Sequence, residues 1–183
     1  MLLMALALLA VAPEEPAARS WRLDVPMGFT AQSPTSGVET RVVPWMGLRA
    51  ARLLDHQRGE LLLLGGDATF WLGSGPSEGT SVVRSSRFSG ALEGRGLVGL
   101  NAFETATAGI RPYLYGSVVA GGGLVTLSAY ADRSMVLVPV WGLGTGAGVE
   151  LTTHLASLRV ELGGGLRDGG FALSSSLAAG VAF

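Results

Sequence analysis

The sequence of 183 residues lacks cysteine and lysine altogether, and only 15% of its residues are charged. The absence of cysteine excludes a disulfide framework and any thiolate metal site. All 13 basic residues are therefore arginine, which stays ionised and pairs bidentately with carboxylates in confined places. Because the formal net charge is −1, the composition gives no sign of a nucleic-acid partner.

Long apolar runs are also missing, although the chain is greasy. Hydrophobic residues make up 48% of the sequence and the mean hydropathy is +0.42. The longest apolar run, residues 1–12, is shorter than the roughly 18 residues that a transmembrane helix needs. High hydropathy without a spanning helix is typical of a membrane β-barrel, because only alternate residues face lipid. The 28 glycines suit bent strands packed closely in a narrow barrel.

Residues 1–18 are predicted to be a secretory signal peptide. An apolar core of about ten residues is followed by small residues at Ala10-Val11-Ala12, as such signals require. Cleavage either there or nearer Ala18 is compatible with the sequence, and a short buried helix is the alternative interpretation. Residues 19–183 would then form one domain.

The C-terminal stretch FALSSSLAAGVAF alternates between apolar residues and small, mostly polar ones. Such alternation predicts a strand with one apolar face. The pattern, which ends on an aromatic residue, resembles the C-terminal strand of bacterial outer-membrane β-barrels. The resemblance implies that this strand is the recognition signal for the barrel-assembly machinery, carried here by Leu177, Ala179, Val181 and Phe183.

Alternation recurs along the rest of the chain and predicts eight strands. Residues 81–103 could be two strands, but their unbroken parity favours one. Short turns at 55–59 and 151–154 alternate with longer connections at 31–39, 74–86 and 125–134, which predicts short periplasmic turns and long extracellular loops. The strands are predicted at 21–30, 40–54, 60–73, 81–103, 111–125, 135–150, 155–166 and 171–183.

Residues 19–183 as a whole resemble the small eight-stranded outer-membrane barrels of the OmpA, OmpX and OmpW type. The stretches RPYLYGSVVAGGG and WGLGTGAGVELTTHLASLRVEL carry this resemblance through glycine and alternation. It implies an all-β fold, a closed antiparallel up-and-down transmembrane β-barrel in a Gram-negative outer membrane. The expected partners are outer-membrane lipid and lipopolysaccharide, and the chain is expected to be a monomer without a cofactor.

Charged residues share the parity opposite to the apolar ones and are predicted to face the barrel lumen. Centring the turns at residues 57 and 80 sets Asp67 opposite Glu93 and diagonal to both Arg95 and Arg49. Because eight strands enclose little more than their own side chains, this mixed-sign network is predicted to plug the bore. Its expected members are Arg49, Asp67, Glu93, Arg95, Glu150, Arg159 and Glu161.

The aromatic residues near strand ends, Trp21, Trp71, Tyr113 and Tyr115, are predicted to form girdles at the membrane interfaces. The function predicted from these features is a structural or surface-interaction role with a plugged lumen. A narrow channel for small solutes, including apolar ones, is the alternative, since four valines share the inward parity. These are Val119, Val136, Val138 and Val140.

No catalytic or metal site is predicted. The two histidines, His56 and His154, have no ligand partner at metal-binding spacing. Some eight-stranded barrels are lipid A deacylases with His, Ser and Glu, which makes a lipid-modifying enzyme the third possibility. Here His154 and Ser157 have opposite parity, so they point to opposite faces of one strand. A soluble, lipocalin-like barrel is the non-membrane alternative and would require the opposite sidedness.

Overall fold

The computed structural model describes residues 21–33, 40–54, 62–75, 78–79, 83–105, 107–129, 132–153 and 155–182. The expected signal peptide, both histidines and Phe183 lie outside these ranges. The described residues form eight long strands. These are β1 (Trp21–Ser33), β2 (Arg41–Leu54), β3 (Leu62–Ser74), β4 (Val83–Leu100), β5 (Ala108–Ala129), β6 (Asp132–Thr153), β7 (Ala156–Arg167) and β8 (Gly170–Ala182).

The strands close into an antiparallel barrel. Each strand pairs with the next along the chain, and β1 pairs with β8 from Arg22↔Ala182 to Ser33↔Phe171. Two-residue strands at Glu78–Gly79 and Phe103–Glu104 extend the hairpins next to β4 and β5. The prediction of a closed, eight-stranded, up-and-down barrel is confirmed. Within residues 81–103 the structure has one long strand, Val83–Leu100, rather than two.

Among the described residues, there is no helix that is long and apolar enough to cross a membrane.

The outer surface of the barrel is apolar and its interior is charged. On β1, Met27 and Phe29 are 53% and 58% exposed, whereas Asp24, which has the opposite parity on the same strand, is fully buried. The same alternation holds on β8, where Leu177 faces out and Ala178 faces in. A continuous apolar exterior of this kind is what acyl chains cover, so the predicted sidedness is confirmed and the lipocalin-like alternative is excluded.

One end of the barrel carries the start of β1 and the end of β8; we call it the inner end, since single-chain outer-membrane barrels keep both termini in the periplasm. The opposite, outer end has two very short connections. Residues 130–131 join β5 to β6, and Asp168 and Gly169 join β7 to β8 with φ values of 52° and 80°. Positive φ at both positions is the signature of a two-residue hairpin turn.

The expected loop at residues 125–134 is therefore wrong. The pairs from Val125↔Val136 to Ala129↔Asp132 continue the ladder, so β5 and β6 are 22-residue strands that extend beyond the outer end of β7, and β4 accompanies β5 as far as the pair Val83↔Ala129. The pairing of β6 with β7 begins only at Gly142↔Arg167. Long outer loops do not describe the connections that follow β5 and β7, because these strands end at Ala129 and Arg167 and the next strands begin at Asp132 and Gly170. The inner connection between β6 and β7 is short, as expected, since β6 ends at Thr153 and β7 begins at Ala156.

Glycines of β6 make room for tyrosines of β5 inside the barrel. Tyr115 lies opposite Gly146 and Tyr113 opposite Gly148. A Cβ on Gly146 would lie 2.4 Å from the Tyr115 Cζ, and one on Gly148 would lie 2.6 Å from the Tyr113 Cζ. The rings thus lie against bare backbone, which lets large side chains fill a narrow lumen.

Candidate functional site

The inner half of the lumen holds a charge-balanced network of ion pairs. Four arginines and four carboxylates take part, and each of the eight residues is at most 8% exposed. Tyr113 of β5 and Ser176 of β8 add hydrogen bonds, so all eight strands contribute. We call this set the inner network; its ionised members are Arg22, Asp24, Arg49, Asp67, Arg95, Glu150, Arg159 and Glu161.

Glu161 on β7 is the centre of the inner network. Arg49 binds it bidentately across the barrel, with both N···O distances 2.9 Å. Arg95 donates a third bond at 3.0 Å. The Tyr113 hydroxyl and the Ser176 hydroxyl donate at 2.5 Å and 2.8 Å. The carboxylate therefore accepts five hydrogen bonds and stays ionised although it is buried, as burial of a charge requires.

Arg95 and Asp67 form the most closely fitted pair. They are direct neighbours across β3 and β4, and the guanidinium donates to both carboxylate oxygens at 2.6 Å and 2.7 Å. The predicted register set Asp67 opposite Glu93, but Glu93 lies opposite Thr69 instead. The turn is centred one residue later than expected, and such a shift moves the cross-strand pairing by two residues.

Arg159 links the rest of the inner network. Its Nε donates to Glu150 at 2.9 Å, and its Nη1 lies 3.4 Å from Asp24 and 3.5 Å from Asp67. Arg22 pairs with the same Glu150. Since removing one partner of a buried ion pair typically costs about 3–5 kcal/mol, these connected pairs hold the barrel wall together from inside.

The structure brings six of the seven predicted network residues together and leaves Glu93 out. Glu93 is half-buried and lines a small cavity of about 60 Å³, and no cation of the described residues forms an ion pair with it. Sequence reasoning missed Arg22, Asp24 and Tyr113. Their parity on β1 and β5 matches the lumen-facing side, so that parity was the signal that would have found them.

An apolar layer lies outward of the inner network. Trp71 of β3 packs with Ala91, Val119 and Val140, and Trp45 packs against this cluster with its ring centroid 6.5 Å from that of Trp71. Val119 and Val140 are thus packed against Trp71, whereas Val136 is 48% exposed near the outer end of β6.

The girdle prediction is wrong for three of its four residues. Trp71, Tyr113 and Tyr115 are buried in the lumen, at 4%, 8% and 9% exposure. Their position near strand ends suggested the interface, but their parity decides which face they take. Trp21 does lie on the outside, 44% exposed, with the Arg52 guanidinium 5.4 Å from its ring centroid.

Beyond the apolar layer, the outer end of the lumen contains a cavity of about 260 Å³, which we call the outer cavity. Trp45 and Trp71 line it, together with Arg87, Arg167 and Asp168. Arg87 donates to Asp168 at 2.7 Å, in a pair whose side chains are 30% and 15% exposed. Four of the polar lining residues, Thr30, Ser85, Ser86 and Ser89, have small side chains, so space remains.

The residues of the expected assembly signal lie on the outer face of β8. Leu177 and Val181 are 45% and 54% exposed, and Ala179 shares their side. Ser157, the serine considered as a nucleophile, points into the lumen and donates to Asp24 at 3.1 Å. That hydrogen bond makes Ser157 part of the inner network's surroundings.

The fold is similar to solved bacterial barrels. The attachment invasion locus protein Ail of Yersinia pestis superposes with a TM-score of 0.58 at 12% identity, covering 90% of this chain and 99% of Ail. Neisserial surface protein A gives a TM-score of 0.55 at 14% identity, covering 89% of this chain and 97% of that one. No protein-family description matches the sequence, and no curated protein is significantly similar to it. With its closed sheet, apolar exterior and charged lumen, the chain has the fold of the small eight-stranded outer-membrane β-barrels.

Proposed function

We propose that the chain is a closed, non-conducting barrel that acts at the cell surface through the raised hairpin of β5 and β6. The observation that carries this proposal is the unpaired outer edge of β6. Among the described residues, 132–140 pair with β5 alone, because β7 ends at Arg167 opposite Gly142. At roughly 3.3 Å per residue, this edge is on the order of 30 Å long.

The exposed part of β6 has the chemistry of an interaction surface. Met135 and Leu137 are 60% and 78% exposed on one face, and Val136 is 48% exposed on the other. The Trp141 backbone bonds toward the β7 side, through Asp168, so Leu137 and Met135, on the same parity, direct their amide groups to the open edge. A long apolar edge is a site for strand addition by another chain.

Proline on this edge fits its exposure. Pro139 shares the parity of Leu137 and Trp141, so it withholds one donor from the open side. Natural sheets use proline on edges to limit unspecific pairing. The donors at Leu137 and Met135 remain for a specific partner, which would be an extended segment of another protein.

The filled lumen supports a role other than transport. On this proposal the buried ion pairs of the inner network would block one half of the bore, and the packed residues around Trp71 and Val119 would block the middle. In planar bilayers the purified barrel is expected to give no stable conductance steps. Regular conductance steps that scale with salt concentration would contradict the closed state and would favour the channel alternative.

Orientation and contact can be tested on cells because the sequence has no cysteine. A cysteine introduced at Ser134 should react with a membrane-impermeant maleimide on intact cells, whereas one at Thr153 should react only after lysis. A photo-crosslinking residue at Leu137 should yield a discrete adduct, which the same residue at lipid-facing Leu143 should not. Labelling at Thr153 on intact cells, or no adduct at Leu137, would overturn the proposal.

The proposal includes no catalytic step and no cofactor. Ser157 donates to the Asp24 carboxylate, which is itself paired with Arg159 in the inner network. We also propose that the barrel is a monomer in contact with outer-membrane lipid and lipopolysaccharide. Recognition by the assembly machinery would use the apolar side of β8, with Leu177, Ala179 and Val181 before Phe183.

A further inference from the structure

We infer that the open edge of β6 receives an amphipathic strand, whose apolar side chains face the barrel axis and whose polar and acidic side chains face outward. This inference rests on the surface role proposed for β6 and adds the chemistry of the partner. The evidence lies in the two faces of the raised hairpin, by which we mean residues 123–138 of β5 and β6.

The outward face of the raised hairpin turns polar where the lipid-facing surface ends. Leu124 and Leu137 pair on this face and continue the apolar exterior, and Leu137 is 78% exposed. The next two outward pairs are Thr126↔Met135 and Ser128↔Arg133. Hydroxyls and an exposed guanidinium suit water and headgroups rather than acyl chains, so the hairpin leaves the hydrocarbon just beyond Leu137.

The axis-facing side of the raised hairpin stays apolar over the same length. On β6 this side continues from Val140 through Val138 to Val136, and the exposed fraction rises from 2% at Val140 to 48% at Val136. On β5, Val125 lies opposite Val136, and Leu127 is 40% exposed. Exposed apolar surface next to an unpaired strand edge marks a place where another chain packs.

A strand added to this edge would alternate in the same way as β6. Side chains on one face of neighbouring strands lie about 5 Å apart, so those facing the axis would pack beside Val136 and Val138. Since Pro139 withholds its donor, pairing would cover residues 132–138 and need a segment of about seven residues.

Arg133 supplies the charge preference on the outward side. It is exposed, and no carboxylate of the described side chains forms an ion pair with it. Opposite charges that face each other across neighbouring strands stabilise the pairing, and like charges oppose it. A carboxylate beside Arg133 therefore fits, at the end of the segment that is farthest from the membrane.

Calorimetric titration of the refolded barrel in detergent micelles tests the inference. The probe is the capped peptide acetyl-TVTVTVE-amide, which carries valines on one face and, in antiparallel pairing, places its glutamate beside Arg133. It should bind saturably at one site per barrel. The same residues in the order VVVTTTE should bind at least about tenfold more weakly, and TVTVTVK at least about threefold more weakly.

The outcomes separate this inference from the proposed function. Equal binding of VVVTTTE overturns the assignment of the two faces, and equal binding of TVTVTVK overturns the role of Arg133. Undiminished binding of the probe with its second and third threonines N-methylated contradicts strand addition itself. No saturable heat with the probe overturns the inference, even where Leu137 gives its adduct on cells and the surface role stands.

A matched pair of variants locates the contact. Val136→Thr keeps nearly the same volume, removes apolar surface and should weaken probe binding at least about threefold. Val42→Thr makes the same change at a residue 51% exposed on the outer face of β2 and should leave binding unchanged. Equal loss in both variants, or none in Val136→Thr, would contradict the assignment. The peptide comparison on the unaltered barrel decides the matter if Val136→Thr does not fold.

Sedimentation of the barrel without peptide gives one further outcome. A monomer is expected, because the edge is reserved for a segment of another protein. A dimer that Leu137→Pro abolishes would show that a second copy of this chain occupies the edge, and would overturn the inference.

Discussion

The inner and outer halves of this lumen share one wall and differ in what fills it. Around Glu161 the inward positions are arginines, carboxylates and tyrosines, and their side chains meet across the bore. Around Asp168 the inward positions include Thr30, Ser89 and Val125, and a cavity of about 260 Å³ remains. In a barrel with a fixed number of strands, side-chain volume alone decides whether the bore is closed or open.

The two halves also differ in how deeply each buries an arginine–aspartate ion pair. The Arg95–Asp67 pair of the inner network is 3% and 0% exposed, whereas the Arg87–Asp168 pair at the outer end is 30% and 15% exposed. Water and salt screen the second pair but not the first. Breaking the two pairs should therefore have very different consequences for stability.

The largest effect is expected at the centre of the inner network. Glu161→Gln should lower the free energy of unfolding by about 3–5 kcal/mol, because it leaves the buried Arg49 guanidinium without a carboxylate. Urea titration in micelles, followed by tryptophan fluorescence, measures this change. Glu93→Gln on the neighbouring cavity is the control and should stay within about 0.5 kcal/mol. Equal losses in the two variants would show that the network is not the source of the stability.

A smaller loss of stability is expected at Gly146, where the β6 backbone packs against the Tyr115 ring. Gly146→Ala should cost about 1–3 kcal/mol, since its Cβ would lie 2.4 Å from both the Leu162 carbonyl oxygen and the Tyr115 ring. Gly116→Ala on the lipid-facing side of β5 is the control, because no atom lies within 4 Å of the added carbon. The same unfolding titration compares them, and a harmless Gly146→Ala would mean that the inner half is less tightly filled than described.

The smallest effect is expected at the outer end. Asp168→Asn should cost about 1 kcal/mol or less, since the pair with Arg87 is partly solvated and asparagine accepts the positive φ of this turn. The identical substitution at Asp67 should cost several times more. If the two substitutions had the same cost, burial would not distinguish the two halves of the lumen.

Parity along the sequence was enough to predict the strands, their sidedness and the closed barrel. The alternation placed Arg159 and Glu161 of β7 inside, and Leu177 of β8 on the opposite, apolar side, before any pairing was known. The prediction failed for residues that were assigned by their position near a strand end instead of by their parity. Trp71 and Tyr113 were expected at the interfaces because they lie near strand ends, yet both share the parity of lumen-facing residues and are buried there.

Register and strand length were beyond the sequence. A turn centre misjudged by one residue displaced the partner of Asp67 from Arg95 to Glu93, because the error doubles across a hairpin. The rise of β5 and β6 above the membrane was read as loop, since residues 128–134 are polar or small. A strand whose both faces meet water has no alternation to reveal it.

Two pairs of the inner network join residues that are far apart along the chain. Arg22 to Glu150 spans 128 positions, and Arg49 to Glu161 spans 112. The N-terminal half of the chain does not contain both members of such a pair. A half-inserted chain would therefore carry unpaired charged side chains. Assembly should accordingly be all-or-none. The last strand to be added, which carries Ser176, should close the barrel and complete the pairing of its charges in a single step.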